Sequence, residues 1–378
     1  MIARVLSGGA AAALLVLVGL TGTGGPARGD TDSPLCGGFI CHRVAVGPSP
    51  VTAPTGPYPV GRVDTPLGDD ERAIMVSAWY PAAEIGSPTS YVPASGPDAD
   101  IRIASTAATW LHSPVSAAAA IGAAAPAAES VPADTTLGRL PVLLMSPGLG
   151  SPRWILSGLA ADLASRGWVV VVADHTGESP AVEFPSGRVV LGDPPTMTDD
   201  YMRERLIARV ADTRTVLDHL TELPIVGDLV DLGAVAMLGH SYGGYTAVSV
   251  AAADPRIRAA VVLDGSAGWH DGAAVERRGL DRPVMLVGYG AMVDASWIAF
   301  GHHTPGPFTV AMVRGGEHYT PTDLPELGGP PELCGTLPPD RAAAVTRGLV
   351  ADFLTRSVLG RPASGEVWPE VEWPTSMD

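Results

Sequence analysis

The segment AVAMLGHSYGGYTA, Ala234–Ala247, sets one serine, Ser241, between Gly239 and Gly243 where an apolar run breaks and small, helix-compatible residues resume. A G-x-S-x-G pentapeptide between a strand and a helix puts its hydroxyl on a tight turn whose neighbours must lack bulk. The turn lies at the carboxyl edge of a sheet, near a helix amino terminus whose partial positive charge favours a developing anion. Ser241 therefore reads as a nucleophile. A serine hydroxyl needs a base beside it and a carboxylate to orient that base, and in this pattern they follow in the order serine, acid, histidine. His318, in RGGEHYTPTDL just after the apolar run FTVAMV, is the expected base. His302 and His303 read as a solvent-facing pair before Pro305, and His240 as a packing residue inside the turn.

Spacing leaves the acid open. Asp264 ends the run AAVVLD, and Asp294 follows the next run in VGYGAMVDASW; either strand end reaches towards the histidine. The oxyanion of an acyl-transfer reaction needs two backbone N–H donors. Tyr242, directly after the serine, is expected to supply one, and Leu149, in the loop Pro147-Gly148-Leu149-Gly150 after PVLLMS, the other.

These residues require a particular scaffold. PVLLMS, a helical segment around Trp154–Ser165 stopped by Gly167, and WVVVVAD form a strand–helix–strand unit, which implies a parallel pair with a right-handed crossover. Asp199–Leu223 carries Met202, Leu206, Val210, Leu217 and Leu220 on one face and ends before Pro224, an amphipathic helix. The runs AVAMLG, AAVVLD, PVMLVG and FTVAMV are continuous apolar strands, as expected where both sheet faces are covered. Asp340–Leu359 reads as a closing helix buried through Ala342, Val345, Leu349 and Phe353. The expected fold class is α/β, a mostly parallel central sheet with helices on both faces, in one domain over 61–360 with a tail at 361–378. Ahead of it, Thr31–Pro59 reads as an irregular arm within 30–60, Ala73–Tyr80 as an early strand, and Ile101–Pro132 as an Ala-rich stretch with a helical middle and a linker at its end. Val182–Thr198 reads as a rim beside the site.

Residues 1–29, with Arg4, an apolar core over Ala10–Leu20 and small residues before Asp30, read as a secretory leader. The apolar run is about half of the ~20 residues needed to span a bilayer, so the mature chain is expected to be secreted without a transmembrane segment. The formal charge of −16 becomes −18 when the leader takes Arg4 and Arg28 with it, which argues against nucleic acid as a partner. The sequence contains no lysine, which excludes a lysine Schiff base, a Ser–Lys dyad and a phosphate-loop lysine. Cys36, Cys41 and Cys334 are too few for a disulfide framework and too dispersed for structural zinc; Cys36 and Cys41 are close enough in sequence to close a small loop, leaving Cys334 over. No metal or organic cofactor is expected.

Taken in order, MSPGLGSPRW, LAADLASRGWVVVVADHTGES, LGHSYGG, VVLDGS and RGGEHYTPTDL resemble the platelet-activating factor acetylhydrolase family of α/β-hydrolases, in its bacterial branch, over roughly Arg72 to Leu359. The resemblance implies a calcium-independent carboxylic ester hydrolase that removes short acyl groups, including the acetyl group of ether phospholipids. It places the acid directly after the strand that follows the nucleophile, at Asp264, the base at His318 ahead of Asp323, and the oxyanion donors at Leu149 and Tyr242. Pro147 departs from the animal enzymes, which carry histidine there. The expectation is thus a secreted serine esterase acting on a small-molecule or lipid ester through Ser241, His318 and Asp264. Its rivals are a lipase-like or cutinase-like polyesterase with Asp294 as the acid, an acyltransferase, and a catalytically inactive hydrolase fold that binds a ligand. Oligomeric state is not legible.

Overall fold

Continuous apolar runs bounded by Gly, Pro and Asp bury both of their faces, and here they become the middle of one sheet. The computed structural model describes residues 47–68, 72–269, 274–290 and 293–374. The leader read at 1–29, together with Cys36 and Cys41, lies outside the described residues. In chain order the strands are β1 (Val60–Leu67), β2 (Ile74–Pro81), β3 (Pro88–Ser90), β4 (Ala124–Glu129), β5 (Leu140–Ser146) and β6 (Val169–Ala173). There follow β7 (Ala181–Glu183), β8 (Val189–Leu191), β9 (Val230–His240), β10 (Ile257–Leu263), β11 (Val284–Tyr289), β12 (Phe308–Val313) and β13 (Val371–Glu372). Among the described residues, all but β7 and β8 join one sheet in the order β13-β12-β11-β10-β9-β5-β6-β2-β1-β4-β3. The six strands from β12 to β6 run parallel. Strands β2 and β13 flank that block antiparallel to it.

Helices α1 (Pro97–Trp110) and α2 (Pro114–Ala120) precede β4, α3 (Ser157–Ala164) joins β5 to β6, and α4 (Asp199–Asp218) leads to β9. Helix α5 (Tyr242–Ala253) joins β9 to β10, α6 (Ala274–Arg278) and α7 (Ala295–His303) flank β11, and α8 (Pro331–Cys334) and α9 (Pro339–Ser357) follow β12. Because side chains alternate along a strand, each parallel strand feeds two cores. Val142 and Leu144 of β5 join Val169, Val171, Met237, Val262 and the inner faces of α4 and α5. Leu143 and Met145 join Val170, Val172, Leu238, Val261 and the inner faces of α3 and α9, where Val345, Leu349 and Phe353 are buried as expected. This is the α/β-hydrolase architecture read from the sequence.

Three segments differ from that reading. VGRVDTPL forms a strand, β1, antiparallel to β2, although it carries Arg62, Asp64 and Pro66. The end of the Ala-rich stretch, AAPAAE, is not a linker but β4, which pairs with β1 and β3; that tertiary pairing overrides the weak strand preference of Ala and Pro. Val182–Thr198 folds back as the β7–β8 hairpin, with Phe184 buried. Within the tail, residues 361–374 pack back onto the domain: Trp368 packs over Gly348 of α9, Arg341 forks onto Glu370 at 2.7 and 2.8 Å, and β13 pairs with β12.

The arm is tied down by its backbone and hydroxyls. Thr55 donates its N–H and Oγ1 to Asp162 at 2.8 and 2.7 Å, and Arg347 of α9 donates to the carbonyls of Thr52 and Ala53. Beneath β1 and β2 lies a sealed ionic group in which Arg62 and Arg153 both reach Asp64, and Arg153 also pairs with Asp174. A buried pair tolerates loss of one partner badly, since the other charge stays desolvated. Arg153→Met strips Asp174 of its guanidinium at a position 1% exposed. The expected cost is about 3–5 kcal/mol, read as a lower urea midpoint with an unchanged slope; a midpoint within error of wild type would refute it.

Candidate active site

The turn at Ser241 is built from backbone contacts too close for any Cβ. A Cβ on Gly239 would lie 1.9 Å from the Gly243 carbonyl, and one on Gly243 would lie 2.0 Å from the carbonyl of Ser146 at the end of β5. Glycine at both positions lets β9 turn directly into α5. Ser241 itself sits at φ 55° and ψ −123°, in the left-handed region that non-glycine residues rarely occupy. Hydrogen bonds from Ser241 N–H to the Leu263 carbonyl and from Gly244 N–H to the Ser241 carbonyl, both 2.9 Å, hold it there.

Three parallel-strand ends converge on this turn. His318 follows β12 and lies with Nε2 2.9 Å from Ser241 Oγ. Its Nδ1 lies 2.7 Å from Oδ2 of Asp264, the residue after β10. The other oxygen of Asp264 accepts the Tyr289 N–H from the end of β11 at 2.7 Å. Asp294 stands elsewhere: its Oδ1 accepts from Ser296 N–H at 2.9 Å and caps α7. Of the two candidate acids, the structure brings Asp264 to the histidine and leaves Asp294 as a helix cap.

His240 does more than pack. Its Nε2 donates to the His318 carbonyl at 2.7 Å, fixing the backbone of His318, and its ring lies 4.8 Å from the His318 ring. Burial first, and the nearby His318, push the His240 imidazole down to about 3, so it stays neutral at ordinary pH. The loop is also anchored by Asp323, whose carboxylate accepts from Tyr91 Oη at 2.7 Å and from Gly158 N–H.

The loop Pro147–Gly150 lies against Ser241, since a Cβ on Gly148 would be 3.3 Å from Ser241 Cβ. Gly148 accepts from Ser151 N–H at 3.1 Å across a turn whose third residue, Gly150, has φ +66°. Leu149 is half-buried at its tip. Trp110 touches Gly150, and Trp269 packs edge-on against Tyr242, so aromatic rings flank both expected oxyanion donors.

Beneath this loop the sequence reading missed a polar network. Ser146 Oγ lies 2.9 Å from His175 Nε2, and His175 Nδ1 lies 2.9 Å from Asp212. These are the residue types of a catalytic relay, but at 1%, 2% and 2% exposure no substrate reaches them. Arg209 joins the network through Ser146 Oγ and pairs with Glu178. The signal lay in spacing: Met202, Arg209, Thr213 and Val216 recur at helical intervals, so the buried stripe of α4 includes an arginine. Among the described residues, no three His, Cys, Asp or Glu side chains converge as a metal site. Nor, among them, is any helix long and apolar enough to cross a membrane. Cys334 is a buried free thiol that burial raises to about 12.

Residues 45–186 match the profile of platelet-activating factor acetylhydrolase, isoform II, and residues 126–297 that of the X-Pro dipeptidyl-peptidase (S15) family. An Arthroderma benhamiae protein named "Probable 1-alkyl-2-acetylglycerophosphocholine esterase" is 27% identical over 59% of this chain and 62% of its own length. The platelet-activating factor acetylhydrolase of Bos taurus is 24% identical over 58% of this chain and 56% of its own. The chain thus spans less than two thirds of these curated relatives. The structure of a ferulic acid esterase from Streptomyces cinnamoneus matches with a TM-score of 0.72 and 30% identity, covering 85% of this chain and 98% of that one.

The anchoring of the base loop has a pH signature. Burial, with Glu326 beside it, pushes the Asp323 carboxyl up to about 7. An unfolded carboxyl titrates near ~3.9. The stability contributed by protonated Asp323 is therefore complete below that value and is lost as pH rises through about 7. The wild-type Tm is expected to fall more between pH 5 and 8 than that of Asp323→Asn. The depressed His240 adds acid instability equally to both proteins, so parallel Tm profiles would contradict this account.

Proposed function

The chain belongs to the platelet-activating factor acetylhydrolase family of α/β-hydrolases, and from that premise we propose that it is a secreted serine carboxylic ester hydrolase acting on short acyl esters. Ser241 Oγ attacks the ester carbonyl while His318 Nε2 takes its proton. Asp264 holds the imidazole and stabilises the imidazolium, and the N–H groups of Leu149 and Tyr242 receive the oxyanion. The alcohol leaves with the proton held by His318. Water then attacks the acyl-enzyme along the same path and releases the acid.

The observation that carries this reading is the relay of 2.9 and 2.7 Å from Ser241 through His318 to Asp264, set on a strained turn. Leader, arm, hydrolase domain and tail at 1–29, 30–60, 61–360 and 361–378 remain the proposed organisation, with export through the leader. A second reading is an ester with an aromatic acyl group. The near-complete overlap with the Streptomyces esterase favours it, and so do the rings of Trp110 and Trp269 beside the two expected donors.

A fluorophosphonate probe on the mature protein should label Ser241, and turnover should be compared on aryl acetate, butyrate and feruloyl esters, with an X-Pro anilide as the amide arm. Asp264→Asn should lower kcat by about 10³–10⁴-fold. Asp294→Asn, which keeps a capping side chain, should stay within about threefold of wild type. Unlabelled, inactive folded protein would sink the hydrolase reading, and loss of activity only in Asp294→Asn would sink Asp264 as the acid. Faster turnover of feruloyl than acetyl esters would favour the second reading.

A further inference from the structure

Two carbonyls of the Pro147–Gly150 loop share one side chain as a donor, Gly148 accepting from Ser151 N–H as well. Arg209, 1% exposed on α4, donates Nη1 to the Pro147 carbonyl at 2.7 Å and Nη2 to the Gly148 carbonyl at 3.0 Å. Nη1 also reaches Ser146 Oγ at 3.1 Å, and Nε reaches Glu178 at 2.9 and 3.0 Å. The guanidinium plane further covers the ring of Tyr242, 5.3 Å from its centroid, while the Tyr242 hydroxyl is bonded to the Met202 carbonyl of the same helix. One buried fork thus touches both segments expected to donate to the oxyanion, without itself reaching Ser241.

The peptide geometry turns this contact into a direction. Among the described residues there is no cis peptide, and in a trans peptide the N–H points opposite the preceding C=O. With the Gly148 carbonyl drawn to Arg209, the Leu149 N–H is turned to the opposite face of the loop, and Ser241 lies beside this peptide, 3.3 Å from a Cβ built on Gly148. Glycine at 148 and 150 leaves this loop little intrinsic preference between peptide orientations, so something outside it must choose one. We propose that Arg209 is the positioning residue of the oxyanion site, its guanidinium selecting the peptide orientation that presents Leu149 N–H to the ester at Ser241. This rests on the hydrolase reading above. Glu178 neutralises the arginine, so its contribution is geometric rather than a stray positive charge at the reacting centre.

An ammonium keeps the charge but lacks the planar fork. Arg209→Lys is therefore expected to lower kcat on a short-acyl aryl ester by about 10–100-fold, below or near the loss of one oxyanion donor, with KM within about threefold. Affinity for a boronic acid that forms a tetrahedral adduct on Ser241 should fall in step with kcat, while inhibition by the carboxylate product should not change. The double variant Glu178→Gln/Arg209→Met removes both buried charges together and so avoids an orphaned carboxylate; it should keep a near-wild-type Tm and show the same kcat and boronate losses. Wild-type kcat in either variant, or losses that track Tm rather than boronate affinity, would overturn the proposal. A wild type inactive on all esters would sink the hydrolase reading instead, and this inference with it.

Discussion

Everything at the candidate site depends on how closely two backbones approach where β9 turns into α5. The first turn of that helix lies on the carbonyls of Ser146 and Pro147 with no room for a side chain at Gly243. One contact therefore sets the nucleophile turn and the neighbouring loop relative to each other. Ser241 bears the strain of the turn at φ 55°, and Asp264, which ends the adjacent strand at φ 47°, bears a similar one. Such conformations persist only where the surroundings over-determine them. Here β10 lies between β9 and β11: Leu263 accepts from Ser241 N–H, and Asp264 N–H is bonded to Val287. The two strained residues are thus held by the same three strands whose parallel order brings their ends together.

A second constraint follows from composition. The chain has no lysine, so each buried cation is an arginine. A guanidinium offers five donors in a rigid fork, and this protein uses them to join carbonyls and carboxylates across elements remote in sequence. Arg153 links β2 to the segments after β5 and β6 through Ser77 and Asp174. Arg347 ties the arm to α9, and Arg209 fastens the loop after β5 to α4. Each spans elements remote in sequence where a hydrophobic contact would supply area but no orientation. Buried ion pairs contribute little net stability against an apolar replacement, so their place beside the site is better explained by direction than by strength.

The same distinction explains what could be read from the sequence. The parallel strands were legible because burial on both faces leaves uninterrupted apolar runs such as WVVVVA and AAVVL, and the nucleophile turn because sterics admit little but glycine beside Ser241. Strand β1 was not legible, because Arg62, Asp64 and Thr65 are buried against partners far along the chain and VGRVDTPL reads as polar. Strand β4 was hidden by alanine and proline in a stretch that local preference sends to helix or loop. Spacing alone could not separate Asp264 from Asp294, since both end apolar runs; a backbone N–H on Asp294's own helix occupies one of them, and only the fold reveals it. Arg209 was not singled out, because a charged side chain on an amphipathic helix carries no local mark of the buried carbonyls it meets.

His318 shows how these constraints meet. Its side chain is 30% exposed, yet its backbone is fixed from several directions. His240 binds its carbonyl, Tyr319 N–H is bonded to Leu333, and Asp323 is held by Tyr91 and Gly158 a few residues on. A loop at the rim of a sheet is ordinarily among the more mobile parts of a protein. Here the groups that quiet it are buried: an imidazole pushed down to about 3, and so neutral at ordinary pH, and a carboxyl pushed up to about 7. Asp264 is the carboxylate that His318 Nδ1 meets, on the side of the ring away from Ser241, which is where the proposed reaction would need a counter-charge.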